Sequence, residues 1–194
     1  MLKILGGQAK NLTLSVPKSN QVRPTSVLLR RKIFDSYQNI NEYYFIDCCC
    51  GSGAMGIEAL SRGAMGAIFV EKNKKIFQNL LKNIEALKAR MELPELELKN
   101  LSSDIWIKNF KKEYEAWDET KKTSTLLFFD PPYEDKKTYE VIFNELSSKW
   151  FRGLLMIESD TQKGPALETI NEAFGPSDKI FTHGTSFVYT LRCD

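Results

Sequence analysis

The chain has 194 residues, of which 42% are hydrophobic and 27% are charged. These fractions are those of an ordinary globular domain, so they exclude a disordered, collagen-like or coiled-coil protein. The apolar runs all fall short of the roughly 18 residues that a membrane span needs. The first residues also lack the apolar core of a secretion signal. We therefore expect a soluble cytoplasmic domain that acts away from membranes.

The net charge of +2 hides an uneven distribution of charge. Residues 1–34 contain seven lysine or arginine residues and no acid, whereas the rest of the chain carries a net charge of −5. Basic side chains that meet phosphates release condensed counterions, so this segment favours a polyanionic partner. A solvated surface tail would have the same composition, and that alternative stays open. The residues that we expect to contact nucleic acid phosphates are Lys10, Arg23, Arg30, Arg31 and Lys32.

In chain order, the first elements are two short strands at 2–5 and 11–16, which form a hairpin around Gly6-Gly7 within a basic extension of residues 1–22. A helical stretch opens at Pro24-Thr25, and strands then alternate with helices. The predicted strands are 43–47, 67–71, 96–100, 125–130 and 154–159. The predicted helices are 53–62, 73–89, 104–117, 136–148 and 164–173. Residues 178–192 alternate around His183-Gly184, which indicates an antiparallel hairpin.

This alternation predicts an α/β domain over residues 23–194, with a mostly parallel sheet between two layers of helices. Ligands of such sheets bind beyond the carboxyl ends of the strands.

The four cysteines, three of them consecutive at 48–50, have neither the spacing of a zinc site nor the geometry of a disulfide framework. We read them as small buried side chains and expect no metal.

The first strand of the alternation is followed by a glycine-rich loop that opens a helix. Asp47 precedes Gly51, Gly53 and Gly56, whose spacing is G-x-G-x-x-G, and Glu71 lies at the end of the next strand, 20 residues beyond Gly51. Glycines let a ligand approach the backbone, and an acid at that distance receives ribose hydroxyls. A tight turn alone would explain the glycines, but the combination predicts nucleoside binding.

Four acids decide which nucleoside fits best, because Asp47, Glu71, Asp104 and Asp130 all fall at or after strand ends. A carboxylate beside a pyrophosphate is repelled in a partly dry pocket. A cationic sulfonium has the opposite preference, so S-adenosylmethionine is favoured over a nicotinamide dinucleotide. A nicotinamide-dependent reductase remains an alternative.

The fourth strand of the alternation ends in Asp130-Pro131-Pro132-Tyr133. Two prolines stiffen this loop and remove two N–H donors, so it is rich in hydrogen-bond acceptors. Asp130 and the Pro131 carbonyl can accept from an amino group, while Tyr133 offers a face on which a base can stack. These features favour methylation of an exocyclic base nitrogen, in which catalysis depends on positioning and electrostatics.

With these motifs, the chain resembles the bacterial small-subunit ribosomal RNA guanine-N2 methyltransferases, which are class I S-adenosylmethionine-dependent enzymes. The resemblance runs over nearly the whole chain, and its most specific parts are Gly-Gly-Gln at 6–8 and Arg-Pro-Thr at 23–25. The loop from Asp47, Val70-Glu71-Lys72 and Asp130–Tyr133 also match.

The resemblance implies a Rossmann-like sheet of seven strands with a small N-terminal hairpin extension. It implies S-adenosylmethionine as cofactor, S-adenosylhomocysteine as product, and a guanine of 16S ribosomal RNA, within a small subunit or its assembly intermediate, as substrate. We also expect a monomer.

By resemblance, Asp47, Gly51 and Gly53 bind the methionine end of the cofactor, Glu71 its ribose and Asp104 its adenine amino group. Ser52 and Lys72 belong to the same cofactor site, and Arg23 and Thr25 close over it. The residues implied to hold the target guanine are Asp130, Pro131, Pro132 and Tyr133.

The chain departs from the family pattern in three places. Cys49-Cys50 replaces an aromatic-small pair, and Val27 and Leu28 stand where an Asp-Arg pair is common. The stretch 108–123 is longer and more charged than expected, which favours a surface loop.

Two other functions use similar motifs. DNA adenine-N6 or cytosine-N4 methyltransferases can carry the same Asp-Pro-Pro-Tyr, but they usually add a region that reads base edges. Here the sheet uses almost the whole chain, so specificity would have to come from the shape of an RNA substrate. A non-catalytic nucleoside-binding ribosome assembly factor is the alternative of another class, and the intact Asp130–Tyr133 motif disfavours it.

Overall fold

The structure is a computed structural model that describes residues 2–16 and 26–194. The predictions for Arg23 and Thr25 lie outside the described residues. Within the described ranges, no helix is both long enough and apolar enough to cross a membrane.

The chain contains nine strands and seven α-helices in the described ranges. The N-terminal elements are β1 (Leu2–Lys3), β2 (Thr13–Leu14) and α1 (Val27–Ser36), followed by a 3-10 turn at Ile40–Glu42. The alternating part begins with β3 (Tyr44–Cys48), α2 (Ala54–Ser61), β4 (Gly66–Val70), α3 (Lys74–Lys88) and β5 (Glu95–Lys99). It continues with α4 (Ser103–Glu115), α5 (Glu119–Thr123), β6 (Thr125–Phe129), α6 (Lys136–Ser147) and β7 (Gly153–Asp160). The last elements are α7 (Leu167–Phe174), β8 (Lys179–His183) and β9 (Ser186–Cys193).

Seven strands form one sheet in the order β5-β4-β3-β6-β7-β9-β8. The first five strands of this order are parallel, and β9 runs antiparallel between β7 and β8. The predicted mostly parallel sheet with a C-terminal antiparallel hairpin is confirmed. It is the Rossmann-like sheet of class I methyltransferases that the resemblance implies.

The sheet separates two hydrophobic cores, because its central strands are buried on both faces. Along β3, Phe45 points into the core shared with α1, α2 and α3, while Ile46 points into the core shared with α4, α6 and α7. Side chains that alternate along a strand must face opposite sides, so a strand buried on both sides reads as a continuous apolar run.

The expectation of a surface loop over 108–123 is wrong, because α4 and α5 occupy most of this stretch. Aromatic residues recur at helical spacing among the lysines: Trp106, Phe110 and Tyr114 are all buried, and the Trp106 and Phe110 rings stack with centroids 4.4 Å apart. The charged residues therefore cover the outer face of an amphipathic helix. The predicted helix at 104–117 agrees with α4.

The N-terminal hairpin is present, although its strands are shorter than predicted, and Leu2 pairs with Leu14. It is joined to the body by the buried carboxylate of Glu58 on α2. Glu58 accepts from the backbone N–H groups of Leu5 at 2.7 Å and Gly6 at 2.8 Å. The Gly-Gly turn fits closely here: Gly7 has a φ of +75°, and a Cβ on it would lie 1.8 Å from Ser61 O. A side chain at Gly7 would therefore force the turn away from α2.

Arg30 is buried beside Glu58 and the hairpin, so its prediction as an RNA contact is wrong. Its side chain is 0% exposed; its guanidinium donates to Lys3 O at 2.5 Å, and its Nε lies 3.8 Å from Glu58 Oε2. Burial lowers the pKa of Arg30, and the nearby Glu58 opposes this shift. Arg30 is thus a structural residue that lies on the inner face of α1 with Ile33 and Phe34.

Candidate active site

A cavity of about 590 Å³ lies at the carboxyl ends of the parallel strands. Its wall combines residues that follow β3, β4, β5, β6 and β7, which is where the sheet topology predicts a ligand. The sequence-predicted residues in the wall are Asp47, Gly51, Ser52, Glu71, Lys72, Asp130, Pro131, Pro132 and Tyr133. The structure therefore brings the glycine loop and the Asp-Pro-Pro-Tyr motif to the same cavity.

The glycine loop forms one side of the cavity by turning sharply between β3 and α2. Gly51 and Gly53 have φ angles of +55° and +79°, and Cys49 also has a positive φ, of +68°. Gly53 is the N-cap of α2, and a Cβ there would lie 2.5 Å from Leu80 Cδ1. Gly53 thus permits the turn and the close packing of α3 beneath the loop.

Asp47 is a buried carboxyl at the base of the cavity, with an exposed fraction of 2%. Its Oδ2 accepts from the Gly56 N–H at 2.8 Å. Burial raises the pKa of Asp47 to about 7, the Gly56 hydrogen bond opposes that shift, and the neighbouring Glu71 carboxylate adds to it. A cation that reached this cavity would favour the ionised form of Asp47.

Glu71 links the end of β4 to the glycine loop. Its Oε2 accepts from the Gly51 N–H at 3.1 Å, and its Oε1 accepts from the Asn73 N–H at 2.7 Å. Burial raises the pKa of Glu71, while these two backbone hydrogen bonds oppose the shift. Because each carboxylate oxygen can accept more than one hydrogen bond, Glu71 can still receive ligand hydroxyls.

The Asp130–Tyr133 loop forms another part of the cavity wall. The Asp130 N–H donates to Cys48 O at 3.2 Å, which fixes the loop to the end of β3. The Tyr133 hydroxyl donates to Glu158 Oε1 at 3.0 Å and lies 3.1 Å from Ser186 Oγ. Burial raises the pKa of Tyr133, and the carboxylates of Glu158 and Asp130 add to the shift. The ring is therefore held as a neutral, oriented face at the cavity.

Two ion pairs connect this loop to its neighbours at the cavity rim. Lys72 Nζ lies 2.8 Å from Asp135 Oδ2, and Lys163 Nζ lies 3.6 Å from Glu134 Oε1. Hydrogen bonding to Asp135 raises the pKa of Lys72. Both lysines line the cavity, so the rim carries cations as well as acids.

Among the described residues, Gly53, Asp104 and the predicted RNA contacts are not in the cavity wall. Asp104 is in the first turn of α4, beyond the wall residues Ser102 and Ser103, and it accepts from the Ser102 hydroxyl, which lowers its pKa. Three of the predicted RNA contacts, Lys10, Arg31 and Lys32, are exposed. The Lys32 ammonium donates to Thr182 O at 2.8 Å.

Sequence reasoning missed several residues of the cavity and its support. Asn73, which caps α3, directly follows the strand-end pair Glu71-Lys72, and Lys163 lies in the loop after β7. The rule that ligand residues follow strand ends could have found both. Glu158 lies one residue before the end of the predicted strand 154–159, so the same rule could have indicated it as well.

The chain is similar to several known proteins. The family model described as Conserved hypothetical protein 95 matches residues 2–187. Ribosomal RNA small subunit methyltransferase D of Escherichia coli K12 is 42% identical over 89 residues, which are 45% of this chain and 45% of that protein, so the match spans less than half of that relative's length. The protein of the same name from Buchnera aphidicola subsp. Baizongia pistaciae is 26% identical over 163 residues, 82% of this chain and 76% of that protein.

Among solved structures, a hypothetical protein from Thermus thermophilus has a TM-score of 0.76 at 25% identity, over 99% of both chains. The match to the family model covers nearly the whole chain. The chain therefore belongs to the Conserved hypothetical protein 95 family, in agreement with the resemblance to small-subunit ribosomal RNA methyltransferases that its motifs predicted.

Proposed function

We propose that this protein transfers a methyl group from S-adenosylmethionine to the exocyclic N2 of a guanine in 16S ribosomal RNA, within the small subunit or its assembly intermediate. The observation that carries the proposal is that the acids of the glycine loop and the Asp130–Tyr133 loop line the same cavity. Its volume is within the range of sites that hold a small-molecule ligand. An RNA substrate of this kind assigns the enzyme to the cytoplasm.

The side chains around the glycine loop fit the proposed cofactor. S-adenosylmethionine supplies an electrophilic methyl group on a cationic sulfonium and also carries a cationic amino group. Asp47 would hold the amino group, because it is a buried acid whose ionised form gains from a cation. Glu71 would accept ribose hydroxyls. We assign to the same site Arg23, Thr25, Gly51, Ser52, Gly53, Lys72 and Asp104.

Asp130 and Pro131 would act on the target amino group. The lone pair of a guanine amino nitrogen is delocalised into the ring, which makes this nitrogen a weak nucleophile. Hydrogen bonds from its two hydrogens to the Asp130 carboxylate and the Pro131 carbonyl would localise the lone pair towards the methyl carbon. As the new N–C bond forms, the S–CH3 bond would break, S-adenosylhomocysteine would leave as a neutral thioether, and the positively charged nitrogen would then lose a proton to water. Catalysis thus rests on alignment and on acceptors that are already in place.

Tyr133 and Pro132 would form the surface against which the guanine stacks. Stacking of a base on an aromatic ring contributes about 1–3 kcal/mol. The hydrogen bonds of the Tyr133 hydroxyl to Glu158 and Ser186 fix the ring before the substrate arrives. A base within folded RNA would have to leave its stack to reach this surface.

The proposed substrate class rests on the relatives, which are named ribosomal RNA small subunit methyltransferases. Exposed Lys10, Arg31 and Lys32, together with Arg23, would contact RNA phosphates. Such contacts give affinity but carry no sequence information, so the shape of the small subunit would select the guanine.

The proposal is tested by methyl transfer to small subunits that lack the modification. Asp130→Ala is expected to lower kcat at least about a hundredfold, since it removes an acceptor that aligns the reacting nitrogen. The matched control is Glu172→Ala, which removes an exposed acid on α7 and leaves activity unchanged. Full activity of Asp130→Ala would falsify the catalytic role of this loop.

A further inference from the structure

Asn83 is a buried polar residue on the apolar face of α3. It is 2% exposed, and its neighbours on that face include Leu80, Ile84 and Leu87. An amide buried among aliphatic side chains is costly unless its donors and acceptor all find partners. The partners of Asn83 therefore indicate why this residue is there.

All of the hydrogen-bonding groups of the Asn83 side chain reach backbone atoms of two distant segments. Its Oδ1 accepts from the Ser15 N–H at 2.7 Å, and its Nδ2 donates to Ser15 O at 3.0 Å and to Ser52 O at 2.9 Å. This arrangement needs two donors and one acceptor on one short side chain, which an amide provides. A carboxylate at the same position would face two carbonyl oxygens.

The two segments that Asn83 joins have different places in the fold. Ser52 is in the wall of the active-site cavity, between Gly51 and Gly53, which both have positive φ. Ser15 directly follows β2 of the N-terminal hairpin. The turn of the same hairpin is held by Glu58 on α2, the helix that the glycine loop opens. The hairpin and the residue after it thus contact α2, which follows the glycine loop, and α3, which packs against that loop.

We propose that Asn83 is a positioning residue for cofactor binding, which holds the glycine loop through Ser52 and makes the N-terminal hairpin part of the scaffold of the cofactor site. This inference rests on the proposed function, since the ligand is the proposed cofactor. Glu71 holds the Gly51 N–H on one side of Ser52, and the Asn83 amide holds the Ser52 carbonyl. Without the Asn83 anchor, cofactor binding has to fix the Ser52 peptide, and the affinity falls by that cost.

The test compares Asn83→Asp with Asn79→Asp in the full chain, using calorimetric titration with S-adenosylhomocysteine. Both substitutions keep the size of the side chain and lie one turn apart on α3. Asn79 also contacts Ser15, at 3.1 Å from its Oγ, but this hydrogen bond is exposed. We expect the dissociation constant to rise about tenfold or more for Asn83→Asp and to stay within about twofold for Asn79→Asp.

Methyl-transfer kinetics separate positioning from a general loss of structure. The KM for S-adenosylmethionine should rise in Asn83→Asp, whereas kcat at saturating cofactor should not change. If Asn83→Asp lacks a cooperative urea transition, Asn83→Ala replaces it, because alanine removes the amide without adding a charge.

The outcomes distinguish the inference from the proposed function. A folded Asn83 variant that binds S-adenosylhomocysteine as tightly as Asn79→Asp overturns the role of Asn83. A wild-type protein that binds no S-adenosylhomocysteine overturns the proposed function, and the inference with it. A tenfold weakening restricted to the Asn83 variant supports both.

Discussion

Replacing Asp47 by asparagine should stabilise the protein and weaken cofactor binding at the same time. The carboxyl of Asp47 is 2% exposed, and its pKa is raised from 3.8 to about 7 by burial. In the unfolded chain this group ionises near its ordinary pKa, so the folded state loses stability as the pH rises from about 4 to 7. A difference of about three pKa units corresponds to about 4 kcal/mol, which is an upper limit.

The asparagine side chain would be neutral at every pH and could still accept from the Gly56 N–H, so the substitution removes the cost of ionisation, while its new amide donors would lie at the cavity that Asp47 lines. We expect Asp47→Asn to raise the free energy of unfolding by about 1–4 kcal/mol at pH 8 and to leave it unchanged near pH 4. The dissociation constant for S-adenosylhomocysteine should rise by at least about tenfold, since a hydrogen bond between charged groups is lost. In the wild type, cofactor affinity should fall below pH 7 as Asp47 takes up a proton.

Urea denaturation at pH 4, 6 and 8, followed by tryptophan fluorescence, measures the first effect, and calorimetric titration measures the second. Asp35→Asn, which changes an exposed acid on α1, is the control and should alter neither quantity by more than about 0.5 kcal/mol. If Asp47→Asn were less stable than the wild type at pH 8 and bound S-adenosylhomocysteine equally well, the reasoning from burial and charge would be refuted.

Three further predictions concern other parts of the structure. Glu58→Ala leaves Arg30 buried without its counter-charge, so the free energy of unfolding, measured by urea denaturation, should fall by about 3–5 kcal/mol. A fall of less than about 1 kcal/mol would contradict the stabilising role of this pair. Tyr133→Phe keeps the ring but releases its hydroxyl anchor; we expect the single-turnover rate constant to fall about tenfold, with S-adenosylhomocysteine affinity unchanged, and an unchanged rate constant would contradict the role of the anchor. Replacing Arg31 and Lys32 together by alanine should lower the salt slope of RNA binding, log Kd against log salt, by about 1.4–1.8. An unchanged slope would remove both residues from the RNA interface.

The sheet and most of the cavity wall could be predicted from the sequence because both follow from short-range patterns. Apolar runs alternate with helical periods, and parallel strands bring their carboxyl ends to the same edge of a sheet. Asp47, Glu71 and Asp130 are far apart in the chain, yet each directly follows or ends a strand, so the topology alone predicts that they meet.

The errors came from residues whose environment depends on long-range packing. A count of basic residues does not reveal that Arg30 faces inwards, because its partner Glu58 is on another helix and Lys3 is in the hairpin. Asn83 likewise has no signal in the sequence, since a single polar residue in an apolar stretch can be either exposed or satisfied by a distant group. The charge of the stretch 108–123 favours a surface loop, yet its first part belongs to the correctly predicted helix at 104–117, in which Phe110 and Tyr114 are buried.

The most direct test of the proposed function is methyl transfer from labelled S-adenosylmethionine to four substrates: unmodified small subunits, naked 16S ribosomal RNA, large subunits and duplex DNA. Nucleosides from each digested product are identified by mass spectrometry. We predict N2-methylguanosine, formed from the small subunit in preference to the other three substrates. Methyladenine or methylcytosine in the DNA, or no methyl transfer to any substrate despite bound S-adenosylhomocysteine, would contradict this account.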